Sequence, residues 1–174
     1  MKKLWNMGVL IGTAIGITVV SWSSNMQATS INQLDVFIKQ DFQSVTCVLA
    51  SNVMMLRRKA ILAGNEQWSS ITEAALEPTA WIDGIGVRNS FTYLGYQVEH
   101  GLLPAQPQAM LIQLLQAHPE GIVIYDDTHY HAILLTDYSD GIFYGCDPSP
   151  YYPDGRIAID QTSLRSEERR VGKE

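Results

Sequence analysis

Between Cys47 and Leu62 apolar residues recur at positions 49, 50, 53, 54, 56, 60 and 61. This is the 3.6-residue period of an amphipathic helix. Arg57, Arg58 and Lys59 crowd its far end, where the helix dipole favours cations, and Gly64-Asn65 stops it. The basic trio reads as a solvated face. Ser70-Ile71-Thr72-Glu73 has capping-box spacing and opens a short helix that Pro78 limits. Trp68 and Trp81 flank this helix and are expected to pack on the first one. Residues 87–94 read as helical and Tyr96–Glu99 as extended. Pro104 and Pro107 lead into a helix over Gln108–Ala117, with Leu111, Leu114 and Leu115 as its apolar stripe.

Past His118-Pro119-Glu120-Gly121 the period changes. Residues 122–125, 130–138 and Ile142–Cys146 are apolar or alternating runs bounded by turn residues, which is the signature of strands. Residues 156–159, after Asp154-Gly155, make a fourth. No internal repeat is present. Helices first and strands second define an α+β domain with a mainly antiparallel sheet.

The two ends are set apart from this pattern. Met1-Lys2-Lys3 followed by the apolar stretch 4–20 and the small polar stretch 21–30 has the layout of a secretory signal peptide. An uncleaved membrane anchor is the alternative reading of residues 1–28. Either places the domain, residues 29–164, outside the cytoplasm. Residues 165–174 have no apolar period and resemble the in-frame translation of a sequencing-library adapter. They stand apart from the fold and are expected to replace the domain's own C-terminus. The whole chain carries 12 basic and 18 acidic residues. The start accounts for two of the basic ones, and the tail for four basic and three acidic. The domain therefore keeps 6 basic against 15 acidic residues, a net charge of −9. Such a charge opposes binding to nucleic acid or to an anionic membrane surface.

The candidate chemistry centres on Cys47. A thiol on the first turn of a helix meets unpaired N–H groups and the positive end of the dipole, both of which favour thiolate. A nucleophile of this kind needs a base and a group that orients the base. Of the four histidines, His100 and His118 lie in loops. His129 and His131 share one face at the start of a strand. The hairpin register then decides whether Asp147 can serve. A three-residue Ser139-Asp140-Gly141 loop pairs Tyr138 with Ile142 and brings Ile133 opposite Asp147. His131 is then the diagonal neighbour of Asp147, about 7–8 Å away at the backbone. A two-residue Asp140-Gly141 turn shifts the register by one and sends Asp147 to the other face. In the three-residue register Cys146 points away from His131, which opposes a Cys47–Cys146 disulfide. Asp126 and Asp127 beside the histidines suggest a metal site, but a polar connection between strands is the plainer account. No cofactor is expected.

A glutamine ahead of a cysteine that opens a helix, His131-Ala132 entering an apolar strand, and Asp147-Pro148 sixteen residues on resemble the papain-like cysteine peptidases. Within them the closest likeness is to bacterial bacteriocin-processing (double-glycine leader) peptidases and their secreted relatives. The resemblance spans roughly residues 40–159. It implies Cys47 as nucleophile, His131 as general base and acid, Asp147 as its orienter, and Gln40, preferred to Gln43, as oxyanion donor. It also implies a peptide or protein substrate. Family members often have glycine directly after the nucleophile, where this chain has Val48. Their glutamine usually stands about six residues before the cysteine, whereas Gln40 stands seven before. Two other readings use the same residues: a papain-like binding module without catalysis, and an acyl-transfer enzyme of the peptidoglycan-amidase or transglutaminase kind.

Overall fold

The sixteen-residue helix α1 (Cys47–Leu62) runs through the middle of the molecule and is buried on nearly all sides. The computed structural model describes residues 30–40, 46–83, 85–101, 107–126 and 130–162, with Asp126 described in its backbone only. The N-terminal stretch read as a signal or anchor and the 165–174 tail lie outside these residues. Among the described residues no helix is long and apolar enough to cross a membrane. The architecture is α+β, with antiparallel sheets.

One face of α1 (Leu49, Val53, Leu56, Ala60) packs with Ile71, with Leu76 and Ala80 of helix α2 (Glu73–Ala80), and with Phe91 and Val98. Trp68 and Trp81 close over this cluster. Another face presents Met54 to Phe37, Leu134 and Cys146. The helix is therefore sandwiched between α2 with a small hairpin on one side and the main sheet on the other.

Thr72 caps α2, accepting the Ala75 N–H at 3.2 Å, and Pro78 sits inside the helix rather than ending it. After the short strands β1 (Trp81–Ile82) and β2 (Gly86–Val87) come β3 (Ser90–Tyr93) and β4 (Tyr96–Glu99), paired antiparallel. The helix expected over 87–94 is thus replaced by strands. Ser90-Phe91-Thr92-Tyr93 alternates outward and inward side chains. Leu94 and Gly95, at φ 49° and 82°, make the left-handed two-residue turn that joins two such strands.

Arg57 and Arg58 are also not a solvated face. Both are buried. The Arg57 guanidinium donates to the carbonyls of Ile71 (2.8 Å) and Asp35 (3.0 Å). Arg58 donates to those of Glu120, Ile31 and Pro119 at 2.7–3.0 Å and to the Asn32 side chain. Burial holds the Arg58 pKa down to about 10, against the pull of the surrounding carboxylates. The two arginines tie α1 to the chain entry and to the loop before the sheet. Lys59 extends to Glu120 at 2.9 Å.

Helix α3 (Gln108–Ala117) leads into the main sheet, whose strands are β5 (Ile122–Asp126), β6 (His131–Ser139), β7 (Ile142–Cys146) and β8 (Ile157–Ala158) in sequential antiparallel order. The two central strands meet at a two-residue turn, with Ser139 paired to Ile142 and with Asp140 and Gly141 at φ 53° and 82°. The three-residue loop expected here does not form, because Asp-Gly suits the primed turn that follows the natural twist of a hairpin. Three residue pairs beyond the turn, the register slips at a β-bulge between Leu135 and Asp137. Thr136 is the extra residue. Beyond it Leu135 pairs with Gly145 and Leu134 with Cys146.

Candidate active site

The bulge restores at its far end the pairing that the tight turn had displaced. With Leu134 level with Cys146, the next residue of β7's path, Asp147, comes level with Ile133, and His131 lies diagonally beside it. The side chains meet: His131 Nε2 is 2.8 Å from Asp147 Oδ1. The same carboxylate oxygen accepts the Ser149 N–H at 2.9 Å, an Asx turn made by Asp147-Pro148-Ser149. Asp147 is 0% exposed and the His131 side chain 14%.

The bulge is braced. Thr136 Oγ1 donates to the Tyr144 carbonyl at 3.1 Å. Arg156 forks onto both carboxylate oxygens of Asp137 and lies 3.7 Å above the Tyr144 ring. Across the strand pair Gly145 has no room for a side chain, since a Cβ there would stand 2.5 Å from the Leu134 carbonyl oxygen.

Cys47 is the first residue of α1 and is 5% exposed. Its sulfur lies 3.8 Å from the Tyr130 carbonyl. One turn further along α1, Ser51 reaches the Ala132 carbonyl at 3.4 Å. Four residues of helix rise about 6 Å, close to the span of two strand residues. Cys47 and Ser51 therefore track alternate carbonyls of β6, which sets the thiol beside the start of that strand. Tyr130 itself is held at φ 51°, a left-handed conformation uncommon for a bulky residue, with its side chain 78% exposed.

Burial of the His131 ring pulls its pKa down. The hydrogen bonds to Asp147 and to the Cys47 thiol, with the charges of both groups, outweigh that and raise it from 6.5 to about 9. His131 is thus hydrogen-bonded to Asp147 and feels the nearby Cys47 thiol. With Nε2 engaged by Asp147, Nδ1 is the nitrogen left for the sulfur.

Both cysteines are free thiols. Cys146 is enclosed in the core with Phe37, Met54 and Leu134, and burial pushes its pKa up to about 12. Gln40 is fixed by its backbone N–H, which donates to the Pro148 carbonyl at 2.8 Å, one residue past Asp147. Gln43, Asp127 and His129 lie outside the described residues. His100 is not a plain loop residue, because its ring joins the Arg88 carbonyl (3.0 Å) to Asn52 Oδ1 on α1 (3.1 Å). His118 lies 3.5 Å from Glu120. Among the described residues no group of three His, Cys, Asp or Glu side chains gathers where a metal ion could be held.

Two residues of this region do not stand out in the sequence: Ser149, whose N–H steadies the carboxylate, and Lys39, whose ammonium is enclosed by the loop after Asp147. A Ser two residues after Asp is the one hint, since that spacing suits an Asx turn. No protein-family model, curated protein or solved structure matches the chain.

Proposed function

We propose that the protein is an exported cysteine peptidase-like hydrolase of papain-like type, cleaving a peptide or amide bond with Cys47, His131 and Asp147. The observation that carries this reading is the His131 ring, hydrogen-bonded to a buried carboxylate and near enough to a thiol at a helix start for that thiol to raise its pKa. A base oriented by an acid and in contact with a nucleophile is the arrangement that covalent catalysis requires. The raised His131 pKa means that the ring carries its proton at neutral pH.

The chemistry follows from those positions. The Cys47 thiolate attacks the carbonyl carbon, forming a C–S bond while the C=O π pair moves onto oxygen. The Cys47 backbone N–H and the Gln40 side-chain amide donate to that oxyanion. The tetrahedral intermediate collapses as the His131 imidazolium gives its proton to the departing amine, breaking the C–N bond and leaving a thioester. Neutral His131 then takes a proton from water, which attacks the thioester and releases the acid and the thiol. Asp147 keeps the ring oriented and stabilises its protonated form throughout.

The test is the pH profile of Cys47 alkylation by iodoacetamide, read by peptide mapping. Cys47 is expected to react readily at pH 6, with Cys146 unlabelled because its thiol is buried and stays protonated. His131→Ala is expected to abolish the reactivity at pH 6. A wild-type Cys47 that alkylates like a free thiol, with an inflection near pH 8.5, refutes the proposal and favours a binding module. Trials with peptide and peptidoglycan amide substrates then separate peptidase from amidase.

A further inference from the structure

The loop that carries Asp147 has no regular structure between Cys146 and Ile157 and includes Pro148, Pro150 and Pro153. It is gathered around a single cation. Lys39 Nζ donates to the carbonyl oxygens of Asp147 (2.8 Å), Ser149 (3.2 Å), Tyr152 (3.1 Å) and Pro153 (2.9 Å). The Asp154 carboxylate lies 3.8 Å away. An ammonium has three protons, fewer than the acceptors around it. The ring of oxygens resembles the coordination of a small monovalent ion more than a set of individual bonds. The next residue, Gln40, pairs its N–H with the Pro148 carbonyl in the middle of the same loop.

We propose that Lys39 is a positioning residue whose ammonium acts as a built-in cation, folding the Asp147 loop around itself and fixing it against Gln40. One side chain thereby sets both the acid of the triad and the backbone of the oxyanion donor. The inference rests on the triad reading. Asp147 is bonded to Lys39 through its own carbonyl and to His131 through its carboxylate, so a loop that loosens takes the carboxylate away from the ring.

The sign of the His131 response separates this role from simple electrostatics. The titratable groups facing His131 are Asp147 and Cys47, and those facing Lys39 are Asp154 and Cys146. Removing a nearby cation, with nothing else moved, raises a histidine pKa. Withdrawing Asp147 lowers it.

The experiment uses the full chain with Lys39→Met, Lys39→Ala and Lys39→Arg. It follows the His131 imidazole by NMR titration and Cys47 alkylation at pH 6, with circular dichroism as the check on folding. In Lys39→Met the His131 inflection is expected to fall by about one pH unit or more, and alkylation at pH 6 by about tenfold. Lys39→Ala is expected to behave alike and to recover at least part of its alkylation rate when ethylammonium is added. Lys39→Met, whose side chain fills the slot, is expected not to recover. Folded variants with a lower melting temperature but an unchanged or raised His131 inflection overturn the proposal, leaving Lys39 a structural residue only. Should Lys39→Met and Lys39→Ala fail to fold, the titration is read on Lys39→Arg, which keeps the charge but not the fit to the carbonyl ring. An unchanged inflection there overturns the proposal equally. A wild-type protein without a His131-dependent inflection sinks the triad reading itself, whereas a wild-type inflection that the variants leave in place sinks only the clamp.

Discussion

Asp147→Asn keeps the shape of the residue that His131 meets and removes its charge. In the folded protein the ring's pKa lies at about 9 against 6.5 for an unperturbed histidine. That span of about 2.5 pH units corresponds to roughly 3 kcal/mol of preference for the protonated ring. Water around the partly exposed ring screens it to about 2 kcal/mol. The folded pKa is raised, so the folded state holds a proton that the unfolded state gives up between pH 6.5 and 9. The stabilisation is complete below pH 6.5, declines as pH rises through that window, and is gone above pH 9. With asparagine in place, burial is opposed only by the Cys47 thiol, and the ring is expected to titrate well below its value in the wild type. Urea denaturation of wild type and variant at pH 6 and pH 9.5 reads the difference. The variant should be less stable by up to about 2 kcal/mol at pH 6, with the gap closing at pH 9.5. A gap of the same size at both values would refute the reasoning, because it would mean that the Asp147–His131 contact stabilises by packing and not by holding a proton.

Two further substitutions test the frame around the site. Arg58→Met leaves the carbonyls of Glu120, Ile31 and Pro119 without the guanidinium that serves them, at a cost of about 3 kcal/mol or more, read by denaturant melts. Gly145→Ala forces a Cβ to within 2.5 Å of the Leu134 carbonyl oxygen, so β6 and β7 must part next to Asp147. About 1–3 kcal/mol of stability should be lost together with Cys47 reactivity at pH 6, and an alanine variant that melts and alkylates like wild type would show that the strand pair has slack.

Where local chemistry decided the outcome, the sequence could be read. The bounds of α1, the β7 strand and the α3 helix follow from period and punctuation alone. Residues 87–94 misled because Phe91 and Leu94 sit at a helix-compatible spacing. The observed strands depend on Phe91 and Val98 pairing to cover α1, a contact between distant segments. The Arg57-Arg58-Lys59 run misled for a related reason. Charge predicts solvent only when no carbonyls converge on it, and the carbonyls that receive Arg58 come from Ile31, Pro119 and Glu120, far off in the chain. Lys39 was unreadable on the same ground, since its acceptors lie more than a hundred residues away. The meeting of His131 and Asp147 could be read as a geometric option, because strand alternation turns a spacing of sixteen residues into a same-face question.

That question was settled by a feature the turn does not reveal. Counting outward from the Asp140-Gly141 turn, each ladder step alternates the face, and a hairpin without irregularity would carry Asp147 away from His131. One extra residue on β6 inverts the count. Its trace in the sequence is slight: the apolar run over residues 132–135 gives way to the polar pair Thr136-Asp137. The inversion is held by groups that are otherwise ordinary on a sheet surface. Thr136 bonds the Tyr144 carbonyl, and Arg156 joins Asp137 to the Tyr144 ring. The turn and the bulge thus have opposite effects on the same register, and only their combination places a carboxylate on the histidine. A homologous chain with a three-residue loop and no bulge would reach the same pairing, since the register beyond Leu135 depends on the sum of the two and not on either alone.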